Sequence, residues 1–196
     1  MDLRTALGNA TGEFGRRLAL VGQGRLGQDD WARPTPCTEW DVHYLTAHVV
    51  GGNRFAVMIL GGMSSGDAIE QVMSQSQLGD DPFGSWAITS GAQLAAFEPD
   101  DALELLVDHP IGTMTGRRFL ELRVFDLTLH AWDLARAIDA DEQLAADLVD
   151  TVLDLVEHGA VGRGLTHPDT DKPDATPQER LLALTGRSIR SGGTTL

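Results

Sequence analysis

Apolar positions recur at three- and four-residue spacing along most of the chain, the pattern of helices that bury one face. Leu3, Leu7, Phe14, Leu18 and Val21 predict a first helix over residues 2–26, weakened by several glycines. A loop punctuated by Pro34 and Pro36 follows. Thr38 with Asp41 three residues later resembles a capping box, so a second helix is expected over 39–60, stopped by Gly61 and Gly62. A short helix is expected near 68–73 and another over 85–97. "LELLVDHPIGTMTG" alternates weakly and reads as an irregular or hairpin-like excursion. A long helix over 116–138 comes next. "DADEQLAADLVDTVLDLVEHG" predicts a further helix, with Asp141 and Glu142 in its first turn and Gly159 at its end. After the loop "GRGLTHPDTDKPDA", "TPQERLLALTG" reads as a compact helix: Thr176 cap, Pro177 at the first position, Glu179 closing the box, Gly186 terminating. These elements predict a mainly α fold, a helical bundle forming one domain over 1–187, followed by a flexible tail over 188–196.

Composition narrows the function. The chain has 196 residues, 42% of them hydrophobic, and a formal charge of −14. That charge repels nucleic-acid phosphates and anionic lipid, so neither is an expected partner. No apolar run approaches the ~18 residues of a spanning helix, and the first residues lack the apolar core of a secretory signal. The one cysteine, Cys37, permits no internal disulfide and suits a reducing compartment. A cytoplasmic protein is expected. Cys37 precedes a helix N-terminus, which can activate a thiol, but local spacing puts no histidine beside it. The sequence contains no Gly-rich phosphate loop, serine nucleophile elbow or CxxC motif.

Candidate chemistry concentrates in "RVFDLTLHAWDLARA". On a helical wheel Asp126, His130 and Asp133 fall within roughly 60° of one another. Phe125, Leu129 and Trp132 border this narrow polar stripe on one side. Such a stripe points into a cavity or the bundle interior, where charges need partners. Two arrangements satisfy it. Asp126 and His130 can bond each other while Asp133 pairs with Arg136 or Arg123. Alternatively, a carboxylate and an imidazole four residues apart can converge on a divalent metal.

A second motif, "EWDVHYLTAHVVGGN", carries His43 and His48. Five residues apart, they face about 140° away from each other and cannot share one site. His48 lies beside Gly51 and Gly52, whose cost in a helix is usually compensated by close approach of a neighbour or ligand. His48 is then either a satisfied core histidine or a ligand. His43, His109, His158 and His167 read as ordinary.

Together, "PTPCTEWDVHYLTAHVVGGN", "FDLTLHAWDLARA" and "ERLLALTGR" resemble the mycothiol-dependent maleylpyruvate isomerase N-terminal-domain family of actinobacteria, within the DinB/YfiT-like superfamily. The resemblance runs from about Thr35 to Arg187. It implies an up-down-down-up four-helix bundle with one long crossover and a divalent metal, zinc or nickel, at one end. His48, Asp126 and His130 match the family's three ligands. Where the isomerases usually carry Glu, this chain has Asp126, one methylene shorter. The resemblance further implies a low-molecular-weight thiol, mycothiol, and an electrophilic substrate, in a transfer or isomerisation reaction. Asn53 and Asp133 are expected to support the ligands or orient substrate. Trp40 and Trp132 are expected to pack the bundle. A homodimer suits bundles of this kind. The alternative is a metal-binding or stress-related protein without catalysis.

Overall fold

The computed structural model describes residues 1–23, 30–159 and 174–187. Among these, seven α-helices form: α1 (Leu3–Leu18), α2 (Val42–Leu60), α3 (Ser65–Met73), α4 (Pro82–Phe97), α5 (Gly116–Ala137), α6 (Ala146–Glu157) and α7 (Pro177–Leu184). A two-stranded antiparallel sheet, β1 (Leu106–Val107) and β2 (Met114–Thr115), stands before α5. This is the hairpin-like excursion expected there, turned through Gly112 at φ 115°.

Side-chain contacts fix the direction of the four main helices. Arg4, in the first turn of α1, donates to the carbonyls of Phe97 and Pro99 at the far end of α4, both at 2.8 Å. Gly15, near the end of α1, faces Trp86 near the start of α4. These two helices are antiparallel. So are α2 and α5: Phe55 meets Phe119, while His48 meets His130. Arg17, in the last turn of α1, donates to the carbonyls of Asp141 and Gln143 just beyond α5. Hence α1 and α5 run the same way, and the order is up-down-down-up. Helix α3 and its flanking loops form the crossover between parallel α2 and α4.

The core lies where the apolar stripes predict. Leu7, Phe14 and Leu18 of α1, Leu45 and Val49 of α2, Phe97 of α4, and Phe119, Leu120, Val124, Leu127 and Trp132 of α5 are buried. Burial of such side chains contributes about 1.5–3 kcal/mol each and holds the bundle together. Helix α6 lays Leu148 and Val152 against this core, and α7 packs on α6. Among the described residues, no helix is long and apolar enough to cross a membrane.

Three boundaries differ from the periodicity. The first helix stops at Leu18, and the chain turns through Gly22 at φ 81°; residues 24–26 of that expectation lie outside the described residues. The second helix begins at Val42, not near Glu39. Its cap is Asp41, whose carboxylate accepts from the Tyr44 amide at 2.7 Å, and not Thr38. Residues 34–41 instead close on themselves: Thr35 N–H donates to the Trp40 carbonyl at 2.9 Å, and Val42 N–H to that of Arg33 at 3.0 Å. Glu39 takes φ 68°, which a helix excludes. The sixth helix begins at Ala146, leaving Asp141 and Glu142 in a loop. Arg17 holds that loop by its carbonyls, and Arg136 holds the Glu142 carboxylate. The final helix has the reciprocal Thr176–Glu179 capping box and Pro177 that its sequence predicts. Most of the Gly/Pro/Asp-rich loop, with His167, and the tail over 188–196 lie outside the described residues.

Candidate metal centre

Antiparallel packing of α2 on α5 sets His48 opposite Asp126 and His130. The Oδ1 atom of Asp126 lies 3.2 Å from His130 Nε2 and 3.5 Å from His48 Nε2. One donor atom from each of the three falls within 4.8 Å of the others. Donors bound at about 2.1 Å around a tetrahedral ion stand roughly 3.4 Å apart, so the spacing fits a divalent metal. The side chains grade outward: Asp133 is 0% exposed, His130 10%, Asp126 26% and His48 38%. His48 is therefore not a core histidine, and the cluster opens to solvent on the α2 side.

The second oxygen of Asp126 is occupied separately. Arg123 Nη1 donates to Oδ2 at 2.8 Å, one turn back on α5. The same guanidinium donates to Asn53 Oδ1 at 2.9 Å and to Gln93 Oε1 at 2.7 Å. Three helices thus hold one buried arginine, and the arginine aims Oδ1 at the histidines. Gly52 makes room for it: a Cβ there would lie 2.6 Å from Arg123 Nη1. Gly51 accommodates Val72 and Gln77 in the same way. The glycine pair thus marks a close approach, as its helical position suggests. Asn53 touches none of the three candidate ligands and acts on Asp126 through Arg123.

His130 has a different partner on its other side. Its Nδ1 lies 3.0 Å from Asp133 Oδ2. Arg187 forks onto that carboxylate, Nη2 to Oδ2 at 2.7 Å and Nε to Oδ1 at 2.9 Å. An ionised carboxylate only accepts, so Nδ1 of His130 is the donor. Nε2 then either carries a second proton toward Asp126 or presents a lone pair, which beside a carboxylate oxygen requires a cation. Asp133 pairs with neither Arg123 nor Arg136; the latter bonds Glu142 and stacks 4.6 Å over the Trp132 ring.

The charges reinforce one another. Burial pushes the Asp126 carboxyl up, but the charge of His130, hydrogen bonds from His130 and His48, and the charge of Arg123 hold it well below its usual 3.8. Burial pushes His130 down, but the Asp126 charge and hydrogen bonds with Asp126, Asp133 and Cys37 raise it well above 6.5. Burial raises Asp133, and its bonds with His130 and Arg187 outweigh that.

Tertiary structure adds residues that local spacing leaves out. The 34–41 loop brings the Cys37 thiol 3.4 Å from Asp133 Oδ2 and 3.9 Å from His130 Nδ1, although no histidine is near it in sequence. The Trp40 ring lies 4.8 Å from His48 and 5.8 Å from His130, so it packs against the cluster itself. Gln93 had no signal beyond being polar in an apolar helical stretch, and Arg187 none beyond closing the "ERLLALTGR" motif, which gave it no role at the site. His43 lies at the surface beside Trp31, His109 packs on Phe55 and Phe119, and His158 pairs with Asp154 at the end of α6.

Comparison with known proteins shows the family and the fold. The model of the mycothiol maleylpyruvate isomerase N-terminal domain matches residues 13–135, well over half of the chain. The match begins earlier and ends earlier than the quoted motifs, and it includes His48, Asp126 and His130. An uncharacterized protein of Mycobacterium tuberculosis, found in strains CDC 1551 / Oshkosh and ATCC 25618 / H37Rv, is 32% identical over 201 residues. That alignment covers 97% of this chain and 100% of the relative. Two crystal structures of the mycothiol-dependent maleylpyruvate isomerase, one of them of a mutant, share the fold. Each gives a TM-score of 0.61 at 17% identity and covers 90% of this chain and 79% of the isomerase. The chain belongs to the mycothiol maleylpyruvate isomerase N-terminal domain family.

Proposed function

We propose that the protein binds a divalent metal, zinc or nickel, through His48, Asp126 and His130. We further propose that it uses the metal with a low-molecular-weight thiol, mycothiol, in a transfer or isomerisation reaction on an electrophilic substrate. The convergence of His48 Nε2, Asp126 Oδ1 and His130 Nε2 from two helices, open to solvent at His48, carries this reading. Three protein donors leave a coordination position free, as in catalytic rather than structural zinc sites. A bound metal there supplies Lewis acidity that lowers the pKa of a coordinated thiol.

The chain's own residues do the rest. Arg123 holds one oxygen of Asp126 so that the other faces the histidines. Asp133 accepts from His130 Nδ1, which turns Nε2 outward. Trp40 covers the imidazoles of His48 and His130 and limits the approach of water from its side. The solvent-facing edge at His48 is the approach left for thiol and substrate. The family name supports mycothiol as the thiol.

Calorimetric titration of chelator-stripped protein with Zn2+ tests the metal. One ion per chain is expected, with affinity reduced at least about 100-fold in His48→Ala, since a lost ligand costs more than a lost supporting group. Absence of stoichiometric binding by zinc and nickel sinks the reading. Titration of the metal-loaded protein with mycothiol then tests the thiol: no heat at about millimolar concentration, a Kd weaker than roughly −4 kcal/mol of binding, removes the thiol and leaves the metal.

A further inference from the structure

Arg187 lies outside the residues matched by the family model, yet it reaches the centre of the site. Helix α7 ends at Leu184, Gly186 turns at φ 74°, and the Arg187 amide closes the turn on the Leu182 carbonyl at 2.8 Å. That turn sends the side chain back toward α5. Its fork takes both oxygens of Asp133, 54 residues away in sequence. Arg187 Nη1 also donates to the Thr185 carbonyl at 3.2 Å, which braces the guanidinium from behind. Asp133 is fully buried, and its other polar neighbours are the His130 imidazole and the Cys37 thiol.

We infer that Arg187 is a positioning residue for the metal centre, and that through Asp133 and His130 it couples docking of the C-terminal helix to metal binding. A carboxylate gripped at both oxygens cannot rotate, so the oxygen facing His130 Nδ1 stays in place. A fixed acceptor at Nδ1 fixes the ring's orientation and leaves Nε2 aimed at the metal position. Coupling of this kind is reciprocal. If docked Arg187 strengthens metal binding by some factor, the metal stabilises the docked segment by the same factor. The inference rests on the metal reading above.

The test uses the full chain, with Zn2+ as probe, in the wild type, Arg187→Ala and Arg187→Lys. Relative to the wild type, Arg187→Ala is expected to weaken Zn2+ binding about 10–100-fold, the usual consequence of losing a group behind a metal ligand. Arg187→Lys keeps the charge without the fork and is expected to fall between. In hydrogen exchange, Zn2+ is expected to slow the amides of α7 in the wild type and to leave them unchanged in Arg187→Ala. Wild-type Zn2+ binding that both variants retain in full, or zinc that protects α7 equally in the wild type and in Arg187→Ala, overturns the coupling and leaves the metal site standing. Failure of the wild type itself to bind overturns the metal reading and this inference with it. Should Arg187→Ala not fold, Arg187→Lys and the exchange measurement on the wild type decide.

Discussion

Arg123 is the residue on which most of the site's polar contacts converge. It is buried, burial pushes its pKa down, and the Asp126 charge opposes that. Its guanidinium satisfies Asp126, Asn53 and Gln93 together. Removing it leaves a partly buried carboxylate and two buried amides without their donor. Loss of one partner from a buried pair costs about 3–5 kcal/mol, and the quarter exposure of Asp126 reduces that figure. Arg123→Ala is therefore expected to destabilise the fold by about 2–4 kcal/mol in chemical denaturation. It is also expected to weaken metal binding, because Asp126 is then free to rotate. A loss under about 0.5 kcal/mol, the usual range for surface changes, contradicts this role. The sequence shows Arg123 beside the polar stripe and offers it as a partner for Asp133. Within α5 the i,i+3 spacing brings Asp126 to Arg123 and leaves Asp133, ten residues on, out of reach; the approach of α2 and α4 adds Asn53 and Gln93.

At the scale of elements, glycines mark where helices meet something closely. Gly116, the first residue of α5, has the Ala102 carbonyl so near that an added Cβ would lie 1.9 Å from its oxygen. That contact is with backbone, which cannot swing aside as a side chain can. Gly116→Ala is expected to cost about 1–3 kcal/mol in thermal or urea denaturation despite the better helix propensity of alanine. A neutral or stabilised variant shows that the Asp100–Leu103 turn yields instead. Element type was legible from period and caps: α3, α4, α5 and α7 fall close to their expected spans, and the Thr176–Glu179 box closes as its residues suggest. The misplaced starts of α2 and α6 share one cause. Loop segments made bonds that helix continuation excludes, Thr35 with Trp40 inside the 34–41 loop and Arg17 with the distant Asp141 and Gln143 carbonyls, and those bonds outweigh a local capping pattern.

For the molecule as a whole, the buried charges set how stability depends on pH. Without metal, Asp126 has a lowered pKa and His130 a raised one. The carboxylate's contribution is present above its unfolded value of 3.8 and is lost as pH falls through the lowered folded value. The imidazole's contribution is present below its unfolded value of 6.5 and is lost as pH rises through the raised folded value. This pair therefore stabilises the metal-free protein most between those two unfolded values. Zinc reverses the alkaline side, because a ligating imidazole must shed its proton and binding strengthens as pH rises. Melting curves at about pH 5 to 9 are expected to show metal-free stability declining above neutrality and zinc-dependent stabilisation growing there. Stabilisation by zinc that weakens with rising pH over that range contradicts ligation by His130.

The sequence by itself determined the helices, their apolar faces, the family resemblance and the identities of His48, Asp126 and His130 as candidates. Periodicity, caps and motif spacing are local properties, and local properties are written in order along the chain. It left open whether Asp126, His130 and Asp133 formed an internal salt-bridge network or part of a site. The tertiary structure sorted them by neighbour: Asp126 between two histidines and Arg123, Asp133 behind His130 and under Arg187. It also decided that Cys37 and Trp40 belong beside the cluster and that the C-terminal turn reaches it. Those contacts join residues up to 96 positions apart. Their geometry follows from how whole helices pack, which no short stretch of sequence contains.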